Sequence, residues 1–183
     1  MAGLGGGDKL RAELNRRMAN LATAKAVQAG FAQGSRFENG VSMATAAAAN
    51  NYGAPSRGIP PRPFFSNAVA EGRKTWGQLL ALELKRHDFH AARALEGMGA
   101  HMAQDIAAAL VAITGPALSQ VTLLLRDRFP DRVGMTFEDV MKARADVAAG
   151  VQSTLSGTGA KPLVWTGQTL QHLQGPQAYQ VLT

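Results

Sequence analysis

His87-Asp88-Phe89-His90 is the densest group of metal-capable side chains in the sequence, and imidazoles at i and i+3 can reach one ion. No further cluster of histidines or carboxylates supplies the remaining ligands. The group also falls at an expected helix–helix junction, so structural or solvated histidines are the simpler reading. His101 lies in a periodic helical stretch and reads as packed or half-exposed; His172 has no evident partner. "GLGGGDK" (3–9) looks only loosely like a phosphate loop, because no strand precedes it and no Ser or Thr follows Lys9. No G-x-S-x-G elbow occurs, and the carboxylates are scattered. Cysteine is absent, which excludes disulfides, thiolate metal sites and thiol catalysis. No catalytic, cofactor or metal site emerges, and an enzyme is the least favoured class.

Charge points to partners more than to chemistry. Residues 1–90 carry 12 Lys+Arg against 6 Asp+Glu and residues 91–183 carry 7 against 7, so the net charge of +6 lies wholly in the first half. That balance suits nucleic acid or an acidic protein. The basic residues are single or paired, however, without a basic tract or interleaved aromatics, and a modestly positive solvated surface is the plainer account. The first seventeen residues hold no apolar signal core and no run reaches the ~20 apolar residues of a membrane helix. A soluble, intracellular chain without membrane contact is expected.

The elements that would position any site are mostly helical. Residues 1–8 read as a flexible N-terminus with Asp8 as an N-cap, followed by an amphipathic helix over 9–22 with Leu10, Leu14, Met18 and Leu21 on one stripe. "KAVQAGFAQGSRF" reads as a strand and turn, and "VSMATAAAANNYG" as an alanine-driven helix ending with Gly53 in the left-handed C′ position. Long helices are predicted over 66–86 and 88–113, the second with Leu95, Met98, Met102, Ile106, Leu110 and Ile113 at helical steps and a stop at Gly115-Pro116. Shorter helices follow at "ALSQVTLLLRDRF", at "TFEDVMKARADVAAGV" with Thr136 as cap, and at "LVWTGQTLQHL" capped by Thr166; "AYQVL" reads as a closing strand. The class is α+β: several helices, two of them long, with a small and mostly antiparallel sheet, in one domain over 1–183.

Residues 50–65, "NNYGAPSRGIPPRPFF", are the stiffest and most aromatic stretch, yet they read as a loop. Pro60, Pro61 and Pro63 fix φ and hold the residues before them extended. Phe64 and Phe65, being adjacent, are not both expected in one core. Arg62 is expected to project outward or bridge to a carboxylate. Such a pre-ordered arm suits a protein–protein contact, and a strut wedged between helices fits equally well.

The same residues carry a resemblance. "AAAANNYGAPSRGIPPRPFFSNAV" resembles the signature of the tail-completion, or neck, proteins of long-tailed bacteriophages: an aromatic–Gly helix end, an "IPPRPF" stretch, then a long helix. "GPALSQVTLLLRDRF" and "KPLVWTGQTLQHL…YQV" are similar to two further segments of that family, in the same order across 25–182. Trp165 stands where the family usually has Asp, and 129–160 exceeds the family's usual linker, as an insertion or extended loop with a short helix would. The resemblance implies a non-enzymatic structural virion protein, without cofactors. It would form a homo-oligomeric ring, sixfold by the family pattern, in the neck between head connector and tail tube, touching other neck and tail proteins. DNA would pass through the lumen without specific recognition. Tyr52, Ile59, Pro60, Pro61, Arg62, Pro63, Phe64 and Phe65 are then the expected inter-subunit arm. Lys161, Pro162, Leu163, Thr166 and Gly167 form the second motif. A tail terminator, a minor tail protein at another level, and a basic nucleic-acid-binding protein are the alternatives.

Overall fold

The steadiest apolar spacing in the sequence becomes the axis of the molecule. The computed structural model describes residues 5–164 and 167–183. In it α4 (Ala91–Ala112) buries Ala94, Met98, Ile106 and Leu110 along one side. Helix α3 (Phe64–Arg86) precedes it and reaches it through residues 87–90 alone, so the two run antiparallel. Ala68 and Gly72 on α3 and Ala103 and Ala107 on α4 are buried, and such small side chains let two helices approach closely.

The corner between them is tight. Asp88 and Phe89 both have positive φ, +53° and +61°, a conformation that costs non-glycine residues free energy. Helix α1 (Gly5–Leu21) clamps that corner: Arg16 pairs with the Asp88 carboxylate, Asn20 Nδ2 donates to the Asp88 carbonyl at 2.9 Å, and the Arg17 guanidinium lies 5.0 Å over the Phe89 ring. Because α1 begins at Gly5, Asp8 sits in its first turn and is not its cap, and residues 5–8 are helical.

The remaining elements cover α4. Strands β1 (Ala26–Ala29) and β2 (Tyr179–Leu182) pair antiparallel, Ala26 opposite Leu182, so the segment after α1 meets the last described residues. They lie on α4 where Gly99 leaves room for Val27 and Tyr179. Helix α2 (Met43–Tyr52) is capped by Ser42, whose Oγ accepts from Thr45 N, and α5 (Gln120–Arg128) by Ser119 in the same way. Helix α6 (Phe137–Ala148) carries the expected Thr136 cap, completed into a capping box by Asp139. Helix α7 (Gln168–Gln174) starts from Gly167; the expected cap Thr166 lies outside the described residues. Gly53 ends α2 with φ +81° but ψ 163°, a positive-φ conformation outside the left-handed helical well and essentially confined to glycine. Glycine is required there for a second reason, since a Cβ would stand 3.0 Å from the Pro61 nitrogen.

The architecture is α+β, with seven α-helices and one two-stranded antiparallel sheet among the described residues. Phe64, Ala68, Ile106, Leu110 and Leu173 form the main core. A satellite core of Leu124, Leu125 and Ala143 joins α5 to α6, with Arg128 and Asp146 paired at 2.6 Å over it. Residues 129–160 thus contain a helix packed on α5.

Replacing Gly99 by Ala would set a methyl 2.5 Å from the Tyr179 ring. We expect Gly99→Ala to destabilise by about 1–3 kcal/mol, as overpacking does, read as a lower urea midpoint at unchanged slope. A midpoint equal to wild type would show that the sheet does not sit on α4 this closely.

Candidate functional site

Three segments far apart in sequence line one cavity. Ile59, Pro60 and Arg62 come from the proline-braced stretch, Leu118, Ser119 and Thr122 from the start of α5, and Leu163 and Gly167 from the segment before α7, around a half-open cavity of about 560 Å3. These are the three stretches that the sequence analysis singled out. The fold places them together because the braced stretch must cross the end of α4 to deliver α3.

Helix α3 starts without a cap of its own. Its N-cap position is Pro63, which offers no side-chain hydrogen bond. Asn51, at the end of α2 and 3% exposed, supplies what is missing. Its Oδ1 accepts from the backbone N–H of Phe65 at 3.0 Å and of Ser66 at 3.1 Å, and its Nδ2 donates to Ser66 Oγ at 2.8 Å. One amide side chain therefore satisfies two of the four donors that a helix start leaves open. Nothing in the sequence marks Asn51 for this role, since in "NNYG" it looks like any helix end.

This geometry corrects the expected arm. Phe64 points into the main core and is 1% exposed. Phe65 stands edge-on to it, with ring centroids 6.4 Å apart, and lies half-buried over Gly30. Arg62 neither projects nor meets a carboxylate: it is buried, and its Nε and Nη2 both donate to the carbonyl of Pro116, at 3.2 and 2.8 Å. Pro116 follows a cis peptide bond. Ile59 and Pro60 are half-buried, whereas Pro61, Pro63 and Tyr52 are exposed. The braced stretch is a strut within its own chain, and of the eight expected arm residues those last three are the exposed ones.

The second motif is also built inward. Lys161 Nζ donates to the Val111 carbonyl at 3.1 Å, a cation at the end of α4 where the helix dipole favours one. Pro162 is buried, Leu163 packs on the main core, and Gly167 takes φ +73° to open α7. Arg126, on α5, fixes this run through its Nη1, which donates to the carbonyls of Gly159 at 2.8 Å and Lys161 at 2.6 Å. Burial, with the nearby Arg132 and Arg62, lowers the Arg126 pKa to about 10.

Three of the four histidines have local partners, while His101, expected packed or half-exposed, is exposed on α4. His87 Nε2 lies 3.3 Å from Glu83, and His90 Nδ1 lies 3.4 Å from Thr23 Oγ1, which also accepts from the Ala92 N–H at 3.0 Å and so caps α4 from outside. The His87–His90 pair therefore divides between two neighbours. His172, which looked partnerless in the sequence, is buried, stacks on Phe31 at 5.6 Å, and accepts from Ala32 N–H through Nε2 at 3.4 Å.

Several large apolar side chains face outward. On α1, Leu10, Leu14, Met18 and Leu21 are 60%, 51%, 68% and 45% exposed, so the amphipathic helix turns its apolar stripe to solvent. Val133, Phe137 and Met141 form a second exposed apolar group at the start of α6.

Asn51→Ala is expected to cost about 1–3 kcal/mol through the two uncovered N–H groups, measured by chemical denaturation; no loss would mean that α3 is capped otherwise. Burial pushes the His172 imidazole below its usual pKa. The folded state then favours the neutral ring, and its contribution is complete above the unfolded value of about 6.5 and lost as pH falls from there through the lower folded value. Wild type should therefore lose more of its urea midpoint between about pH 8 and about pH 5 than His172→Gln does; parallel losses would contradict the assignment. Compared with known proteins, the chain matches no family model, no curated protein and no solved structure.

Proposed function

We propose that this chain is a structural subunit of a tailed-phage neck, assembling as a ring that completes the tail and joins it to the head connector around a DNA channel. The sequence resemblance suggests the setting, and the exposed stripe of Leu10, Leu14, Met18 and Leu21 supports a subunit that is completed by a neighbour. Contiguous apolar patches of more than a few hundred Å2 are uncommon on monomers and mark interaction sites.

A ring needs two unlike faces, one on each side of every subunit. Helix α1 and the start of α6 supply them: aliphatic side chains with Lys9 and Arg11 beside them on one, and Phe137 with Glu138 beside it on the other, all exposed. The proline-braced strut, being internal, acts by holding α3 in place. Among its residues Tyr52, Pro61 and Pro63 are left to touch a neighbour.

The test uses Leu14→Glu and Phe137→Glu, both at exposed positions where folding should survive. Each alone should reduce joining of heads to tails in an assembly extract by at least about tenfold, the scale of an interface hot spot. Each still has one intact face, so a mixture of the two should give dimers and no larger ring by light scattering. Joining at wild-type levels by both variants would overturn the reading, and rings in the mixture would overturn its head-to-tail form.

A further inference from the structure

The chain holds no cysteine, so its seven methionines are the side chains that a peroxide oxidises most readily. Six of them lie among the described residues, and burial sorts them sharply. Met98 is 3% exposed, on the packed side of α4, and Met43, Met102 and Met135 are half-buried. Among the six, Met18 and Met141 alone are exposed, at 68% and 47%. Each falls inside one of the two outward apolar groups. On α1, Met18 follows Leu14 by four residues and precedes Leu21 by three; on α6, Met141 follows Phe137 by four. Those intervals place side chains side by side on one helix face. Both thioethers therefore belong to apolar stripes whose aliphatic and aromatic members offer a polar atom no hydrogen-bond donor.

We propose that Met18 and Met141 are reversible oxidation sites, through which a peroxide switches off docking between subunits. The inference rests on the reading of α1 and the start of α6 as the two ring faces, and adds their regulation. The step is a two-electron oxygen transfer. The sulfur lone pair attacks one oxygen of hydrogen peroxide, the O–O bond breaks, and a proton shift releases the other oxygen as water. Sulfur is thereby oxidised to the sulfoxide and the peroxide is reduced. No group of the protein has to assist, since an exposed thioether meets the oxidant directly from solvent. The product keeps the length and neutrality of the side chain but adds a strong hydrogen-bond acceptor. In the free subunit that acceptor is hydrated, so the fold survives. Against a neighbour's apolar face it must lose its water with nothing in return, the penalty of an unsatisfied buried acceptor. Oxidation thus spares the subunit and strikes the contact. Reduction of the sulfoxide restores the thioether, with one reductase for each epimer.

The experiment treats the whole protein with hydrogen peroxide, removes the excess with catalase, and maps sulfoxide by tandem mass spectrometry. Cleavage after Arg17 and Lys25 isolates Met18, and fragment ions separate Met141 from Met135. Met18 and Met141 are expected to oxidise at least about tenfold faster than Met98, with the circular dichroism spectrum unchanged. Equal rates for the three would overturn the sites. The oxidised subunit should join heads to tails about tenfold less well than its own untreated sample, the scale of one interface hot spot. Methionine sulfoxide reductases should restore the joining. The double variant Met18→Leu, Met141→Leu, again compared with its own untreated sample, should lose most of the sensitivity; if it does not assemble, restoration by the reductases decides. Full joining with both positions oxidised, or undiminished sensitivity in the double variant, would overturn the switch and leave the ring reading standing. Untreated wild-type subunits that never join would overturn the ring reading and the switch with it, while the oxidation map still decides the two sites.

Discussion

The two long helices begin without caps of their own, and the rest of the molecule is arranged around that need. Pro63 gives α3 no acceptor, and His90 gives α4 none. Each helix borrows one: α3 from Asn51 at the end of α2, α4 from Thr23 just ahead of β1. A buried N–H without an acceptor costs about 1–3 kcal/mol, so these contacts fix where α2 and the 22–25 turn must lie. With α2 placed, Phe64 has a single way to enter the core, and the prolines before it follow a path that bends at Gly53. Arg62 then reaches the Pro116 carbonyl and ties that path to the end of α4. Stiffness in the braced stretch therefore serves internal alignment.

A strut of this kind separates alignment from assembly. Phe64 and Arg62 are consumed inside the chain, and much of the exposed apolar surface lies on α1 and at the start of α6. Helix α1 holds to the body through polar contacts at the α3–α4 corner, among them Arg16 with Asp88 and Arg17 over Phe89. Exposed ion pairs contribute little individually. A helix held by its polar side with its leucines outward buries little of its apolar stripe within its own chain. In the proposed ring the next subunit covers that stripe.

Much of this was legible in the sequence where local rules dominate. The period of Met98, Ile106 and Leu110 announced α4, and Thr136 with Asp139 announced the start of α6. The strand at the end of the chain was legible from "AYQVL", though its pairing with Ala26–Ala29 is a long-range fact. The failures share one cause: sequence shows how stiff or polar a residue is, but not what lies opposite it. Asn50 and Asn51 look alike, yet Asn50 bonds back to Ala46 of its own helix while Asn51 caps another. Arg62 looked exposed because an arginine without a visible carboxylate usually is, and a backbone carbonyl as its acceptor leaves no mark in composition. The stripe on α1 was read correctly as a stripe, but periodicity alone does not say whether a core or a neighbour will cover it.

The account rests on the start of α3 being locked within its own subunit. Amide hydrogen exchange of Phe65 and Ser66 reads that lock directly, because their N–H groups are the two that Asn51 covers. Protection comparable to the central turns of α4 is the predicted result. Exchange at the rate of an open loop would mean that the braced segment is free to swing outward.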